Sequence, residues 1–250
     1  MKERKFNRLL PGLIGILSCI LLYQVILAAQ SMGEYPEKIW LHRCNSLEKL
    51  HEKRHLYNNI EVDVVFREAD NTFDVTHDLD TTFHLSIEPY FDYFEERDGR
   101  IWLDFKNLSA ANKESAYQKL LELCDEYHIG KERLIIESPS WEHLKLFTDN
   151  GFYTSLYVSF PPPSELTEAE EDSCVHQLQA ITDSRSVKAL SFPYWWYSDI
   201  KEKLHRSIDL LTWKHRTTHF MFLLSNEGKK MLKDNQLKVV LVKDKGNYHR

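Results

Sequence analysis

Eight short runs of β-branched and aromatic residues alternate with stretches of helical spacing, and this alternation constrains the fold more than any other feature. The runs are Lys38–His42 (KIWLH), Ile60–Phe66 (IEVDVVF), Arg100–Phe105 (RIWLDF), Arg133–Glu137 (RLIIE), Phe152–Phe160 (FYTSLYVSF), Val187–Pro193 (VKALSFP), Asp209–Trp213 (DLLTW) and Leu237–Val242 (LKVVLV). Helices are predicted between them at Ser46–His55, Ile87–Glu96, Asn112–His128 and Trp141–Asp149, then at Ser164–Thr182, Ser198–Arg206 and Asn226–Asp234. Ser109 or Asn112, Ser140 and the Ser164–Thr167 stretch supply start signals, and Gly130 and Gly151 stop signals. Strict β/α alternation means a parallel sheet, and eight repeats in about 210 residues match the smallest (β/α)8 TIM barrel. The chain ends soon after the eighth run, so no closing helix is expected. A doubly wound open sheet is the competing α/β fold, but no Gly-rich phosphate loop follows the first run.

The first 30 residues stand apart. Lys2, Arg4, Lys5 and Arg8 against Glu3 give the tip a charge of +3, which leaves −9 on the rest of a chain whose total is −6. The apolar run Leu9–Ala29 that follows is broken only by Pro11 and Gln24. Roughly 20 helical residues cross the ~30 Å hydrocarbon layer. The expectation is a membrane anchor over 1–30, or a signal helix cleaved near Ala28, Ala29 and Ser31, ahead of a barrel domain over 31–250. The basic tip stays cytoplasmic, so the barrel is expected outside the cytoplasm: single-pass if anchored, secreted or periplasmic if cleaved. A net negative domain argues against nucleic acid as a partner. Three cysteines follow the apolar run, Cys44, Cys124 and Cys174, which allow one internal disulfide at most and have no metal-knuckle spacing.

A barrel of this kind builds its active site from the C-terminal ends of its strands. There the first run ends in His42-Arg43, and the second carries Glu61 and Asp63 two residues apart, hence on one face. An extended segment follows with His77-Asp78, and the third run ends with Asp104 and Lys106, again on one face. Glu137, Trp213 and Lys214 close later runs. Buried carboxylates on neighbouring strands are costly unless a cation joins them. All-oxygen ligation by Glu61, Asp63 and Asp104 selects Mg2+ or Ca2+. Arg43 and Lys106 add fixed positive charge suited to a phosphate. His42 and His77 titrate near neutrality, as a general base and acid require. The combination describes metal-assisted attack on a phosphodiester. The plainer readings place Glu61 and Asp63 on a solvent-facing edge strand, Cys44 as a small buried residue, and Trp213 in the core. Tyr194-Trp195-Trp196-Tyr197 is either a ligand-facing lip or a packed loop.

The ordered set His-Arg, Glu-x-Asp, His-Asp and Asp-x-Lys resembles the glycerophosphodiester phosphodiesterase-like superfamily of PLC-like TIM barrels, which includes the sphingomyelinase D type phospholipases. The motifs cover about 38–110; strand count and the Leu-Thr-Trp213 segment extend the likeness to about 245. The resemblance implies His42 and His77 as catalytic histidines, Glu61, Asp63 and Asp104 as ligands of Mg2+ or Ca2+, and Lys106 as the lysine beside them. It implies Trp213 as a ligand-facing tryptophan, and Asn45 brings the first motif closer to the sphingomyelinase D pattern. Cys44 replaces a frequent glycine, and neither the insertion domain of many glycerophosphodiesterases nor the cysteine-rich loop of venom enzymes has room here. The implied activity is phosphodiester hydrolysis, or cyclic-phosphate formation, on a glycerophosphodiester or lysophospholipid-like compound. Two alternatives remain: a barrel binding a phosphorylated or glycan ligand without turnover in an envelope assembly, and hydrolysis of a glycan or non-phosphate ester.

Overall fold

In the computed structural model, which describes residues 2–218 and 224–244, the eight runs become eight parallel strands closed into a barrel. They are β1 (Ile39–Leu41), β2 (Ile60–Arg67), β4 (Ile101–Phe105), β5 (Leu134–Ser138), β6 (Tyr153–Tyr157), β7 (Ala189–Pro193), β8 (Asp209–Thr218) and β9 (Leu237–Lys243). Closure comes through β1, which pairs in parallel with β2 at Leu41–Ile60 and with β9 at Ile39–Val240. A ninth strand, β3 (Thr72–Val75), folds back antiparallel on the C-terminal half of β2, with Arg67 opposite Thr72. The segment leading to His77 is thus a hairpin arm at the rim, and the barrel count stays at eight.

The helices are α1 (Lys2–Glu34), α2 (Leu47–Lys53), α3 (Glu88–Glu95) and α4 (Lys113–Glu126), then α5 (Trp141–Asp149), α6 (Glu168–Ser184), α7 (Tyr197–Lys203) and α8 (Asn226–Lys233). Local signals set several ends. Ser46 caps α2 by accepting from the Lys49 amide, and Thr167 with Glu170 forms a capping box on α6. That box starts α6 four residues later than the predicted Ser164. Asn112 sits at the N-terminus of α4 without capping it; its amide instead ties Ser109 to Asn107. Gly151 takes a positive φ after α5, as a stop glycine does, whereas after α4 His128 takes the left-handed position and Gly130 does not.

Period 2 sorts the core. On β2, Ile60, Val62, Val64 and Phe66 pack against the helical layer, while Glu61 and Asp63 turn into the barrel. Both are 1% exposed, which excludes a solvent-facing edge strand. Inside, Trp40, Trp102, Ile135, Leu211 and Val239 fill the body of the barrel, Trp40 and Trp102 meeting edge to face at 6.3 Å. The four aromatic residues 194–197 are packed: Trp196 donates to the Pro161 carbonyl and Tyr197 to Asp234. All four cysteines are free thiols.

Helix α1 leads into β1, and its apolar side chains from Ile14 to Ile26 are exposed on every side. Among the described residues, however, no helix is long and apolar enough to cross a membrane. The contiguous stretch of α1 with described side chains, 14–27, covers roughly 21 Å of axis against ~30 Å of hydrocarbon. The expected anchor and its membrane association are therefore unsupported here, and the cleavage-site side chains Ala28, Ala29 and Ser31 lie outside the described residues.

Candidate active site

The site follows from strand register. Asp63 on β2 is level with Asp104 on β4, which is level with Glu137 on β5. Neighbouring strands are ~4.8 Å apart, so three carboxylates in one row lie side by side at the C-terminal end of the barrel. Glu61 enters from two residues earlier on β2. One ligand oxygen each from Glu61, Asp63 and Asp104 falls within 4.8 Å of the others.

This concentration of charge is only partly answered by the protein. Lys106 Nζ lies 2.6 Å from Asp63 Oδ1 and also donates to Asp104. Arg43 Nε is 3.7 Å from Asp63 Oδ2, and Asn45 Nδ2 donates to the same oxygen at 2.7 Å while its own oxygen accepts from the Asp63 amide at 3.0 Å. Burial works to raise the Asp63 pKa, but Lys106, Arg43 and Asn45 together hold it below the usual range. The other acids have fewer such partners. Burial, reinforced by Asp63 and Asp104, pushes Glu61 well up; burial takes Asp104 to about 6 against the pull of Lys106; burial and Asp104 raise Glu137. Among the described residues Glu61 Oε1 is buried with no hydrogen-bond partner. Three hard oxygen donors, one of them orphaned, and a negative surplus fit a divalent cation of the Mg2+ or Ca2+ kind.

His42 stands beside this group, with Nε2 3.7 Å from Glu61 Oε2. Burial first, then the Arg43 cation, lowers its pKa well below 6.5, so the ring is neutral near pH 7. Arg43 adopts φ +52°, a left-handed turn worth roughly 1–2 kcal/mol of strain in an L-residue. That turn aims its amide at Glu61 Oε2, 2.6 Å away. His77 projects from the loop after β3, half-exposed, with Nδ1 on Asp78 at 2.9 Å.

His42, Arg43, Glu61, His77, Asp104, Lys106, Glu137, Tyr157 and Trp213 all line one small cleft. Larger concavities lie behind the β3 arm and at the opposite end of the barrel, and neither holds this set. The site residues expected from sequence are thus gathered in one place, and Asn45 meets Asp63 through both ends of its amide, bracing that carboxylate. Trp213 is both core and cleft wall, 4% exposed and stacked on Tyr157 with ring centres 5.1 Å apart. Three contributors escaped the sequence reading. Tyr157 was legible as the next inward position after Tyr153 and Ser155. Ser191, which donates to Glu137, and the buried Lys49 carried no local signal.

Comparison with families of known sequence finds no matching family model, and no curated protein matches either. Solved structures do match. A glycerophosphodiester phosphodiesterase from Parabacteroides distasonis superposes with a TM-score of 0.56 at 16% identity, over 82% of this chain and 91% of that one. A phosphodiesterase from Oleispira antarctica, solved with its product sn-glycerol-3-phosphate, gives 0.56 at 14% identity over 84% and 94%. At such identities the likeness establishes the fold alone: this chain has a (β/α)8 barrel like that of those phosphodiesterases.

Proposed function

We propose that the chain is a divalent-metal-dependent phosphodiester hydrolase acting on a glycerophosphodiester or lysophospholipid-like compound. One observation carries the reading: Glu61, Asp63 and Asp104 converge within 4.8 Å, and two of them, Glu61 and Asp104, line the same cleft as two histidines. The Parabacteroides and Oleispira enzymes, which share the fold, support the reaction class.

Glu61, Asp63 and Asp104 would hold Mg2+ or Ca2+, with Glu137 as a further acid beside them. When bound, the cation supplies positive charge to a phosphate oxygen and to the developing transition state. His42, neutral and with Nε2 turned to the carboxylate cluster, takes the proton of the attacking hydroxyl. His77, its Nδ1 held by Asp78, returns a proton through Nε2 to the leaving oxygen. Arg43 and Lys106 orient the phosphate, and the Tyr157–Trp213 stack walls the leaving-group side. Attack by water gives hydrolysis, and attack by a neighbouring substrate hydroxyl gives a cyclic phosphate. The basic tip before the apolar run supports an extracytoplasmic site for a barrel domain over 31–250.

The test is product release from glycerophosphocholine and lysophosphatidylcholine by the full chain, with Mg2+ or Ca2+ and then with chelator. Activity should vanish on chelation and fall at least ~100-fold in His42→Ala and in His77→Ala. Turnover indifferent to chelation, or unchanged in both variants, refutes the proposal. Substrate binding without turnover would instead assign a ligand-binding barrel.

A further inference from the structure

The loop that delivers His42 and Arg43 is clamped from beneath by a buried cation. Lys49, on α2, is 2% exposed, and its Nζ donates at 2.8 Å to the His42 carbonyl and at 2.8 Å to the Arg43 carbonyl. The His42 carbonyl and the Arg43 amide belong to one peptide unit. Its oxygen faces the ammonium and its N–H donates to Glu61 Oε2 at 2.6 Å. The sequence Lys49 ammonium, peptide, Glu61 carboxylate is therefore a continuous hydrogen-bonded chain from a buried positive charge to a member of the carboxylate triad. Each link polarises the next in a low-dielectric interior. Tyr90, also buried, donates to the next carbonyl, Cys44, at 2.8 Å, and the Cys44 amide donates to the Glu61 carbonyl at 2.8 Å.

Among the described residues His42 Nδ1 is buried with no hydrogen-bond partner, so none of them steers the ring through that nitrogen. Ring placement then rests on the backbone, whose left-handed turn at Arg43 is a conformation that relaxes unless its carbonyls are held. Lys49 holds two of them.

We propose that Lys49 is a positioning residue: through the His42–Arg43 peptide it fixes the Glu61 carboxylate for the cation and His42 for proton transfer. The inference rests on the metal-dependent reading above and adds to it a residue that touches neither cation nor substrate.

Mg2+ and Ca2+ binding to the full chain, measured by calorimetry, tests it without any turnover. Lys49→Met should weaken affinity ~10–100-fold, the range for groups that orient metal ligands. Lys49→Arg, whose forked N–H groups reach both carbonyls, should restore most of it. Exposed Lys145→Met should change nothing. With substrate, Lys49→Met should lower kcat far more than it raises KM. A folded Lys49→Met with wild-type metal affinity and kcat overturns the proposal. Should Lys49→Met fail to fold, the wild-type chain decides: the Arg43 amide proton should resonate far downfield and move on Mg2+ titration, and an unmoved resonance overturns the proposal. A chain whose Mg2+ affinity depends on Lys49 but which turns over no phosphodiester removes the catalytic reading alone.

Discussion

Replacing Glu61 by Gln should reverse its effect on stability according to whether a divalent cation is present. Glu61 Oε2 keeps an acceptor for the Arg43 amide in the amide variant, so the local hydrogen bond survives. What changes is charge. Two carboxylate charges 4.8 Å apart repel by about 3.5 kcal/mol at an effective dielectric constant of ~20. Glu61 already answers this by holding its proton more tightly than usual, which trims the relief expected from the variant below that figure. In chelator, Glu61→Gln should therefore be at least as stable as the wild type. With Mg2+ at ~100 times its dissociation constant, the wild type gains about 2.7 kcal/mol, or roughly 5–10 °C in Tm for a chain of this size. The variant, lacking one of three ligands, should gain little, so the two melting curves exchange order on adding Mg2+. Differential scanning calorimetry in the two buffers reads this directly. Equal shifts would show that Glu61 does not face the cation. A variant about 3 kcal/mol less stable in chelator would show Glu61 already neutralised by a protein partner, since breaking a buried pair costs that much.

Three further outcomes are expected. Thr167→Ala removes the α6 capping box and should cost about 1 kcal/mol, seen as ~2–4 °C in Tm, with no change in metal binding. Trp213→Ala empties a nearly buried ring stacked on Tyr157 and should cost about 3–5 kcal/mol by urea unfolding, whereas Trp213→Phe keeps a ring there and should cost under ~1.5. The His42 pKa is depressed, so its neutral, proton-accepting form persists on acidification: the acid limb of the kcat/KM profile should lie below pH 6.5 and disappear in His42→Asn at low residual activity. A limb at or above 6.5 would show a base other than this buried ring.

The arrangement also explains how such a small cleft tolerates four acids. Asp63 is braced by Lys106, Arg43 and Asn45, and its charge is secure. Glu61, Asp104 and Glu137 are raised instead, so part of their charge is withheld when no cation is bound. Carboxylates of such unequal acidity would let the site fold without metal and still take up the proposed cation.

Much of this was legible in the chain. Eight β runs at regular intervals determine a parallel α/β barrel because each amphipathic helix must return to the sheet on one side. Period 2 within Ile60–Phe66 and Arg100–Phe105 determines which residues share a face, so Glu61 with Asp63, and Asp104 with Lys106, follow from local geometry alone. The apolar and basic character of the first 30 residues is equally a property of sequence. Tertiary structure decided everything that depends on register between strands or on the far end of a long side chain. Strand pairing sets Asp63, Asp104 and Glu137 in one row, and a slip of one residue would have turned an acid outward. Asn45 braces Asp63 across the barrel rim because a buried carboxylate needs donors. Lys49 reads in sequence as one more solvated cation on a short helix; only when α2 packs under the β1 loop does its ammonium meet two carbonyls that nothing local could have named as its partners.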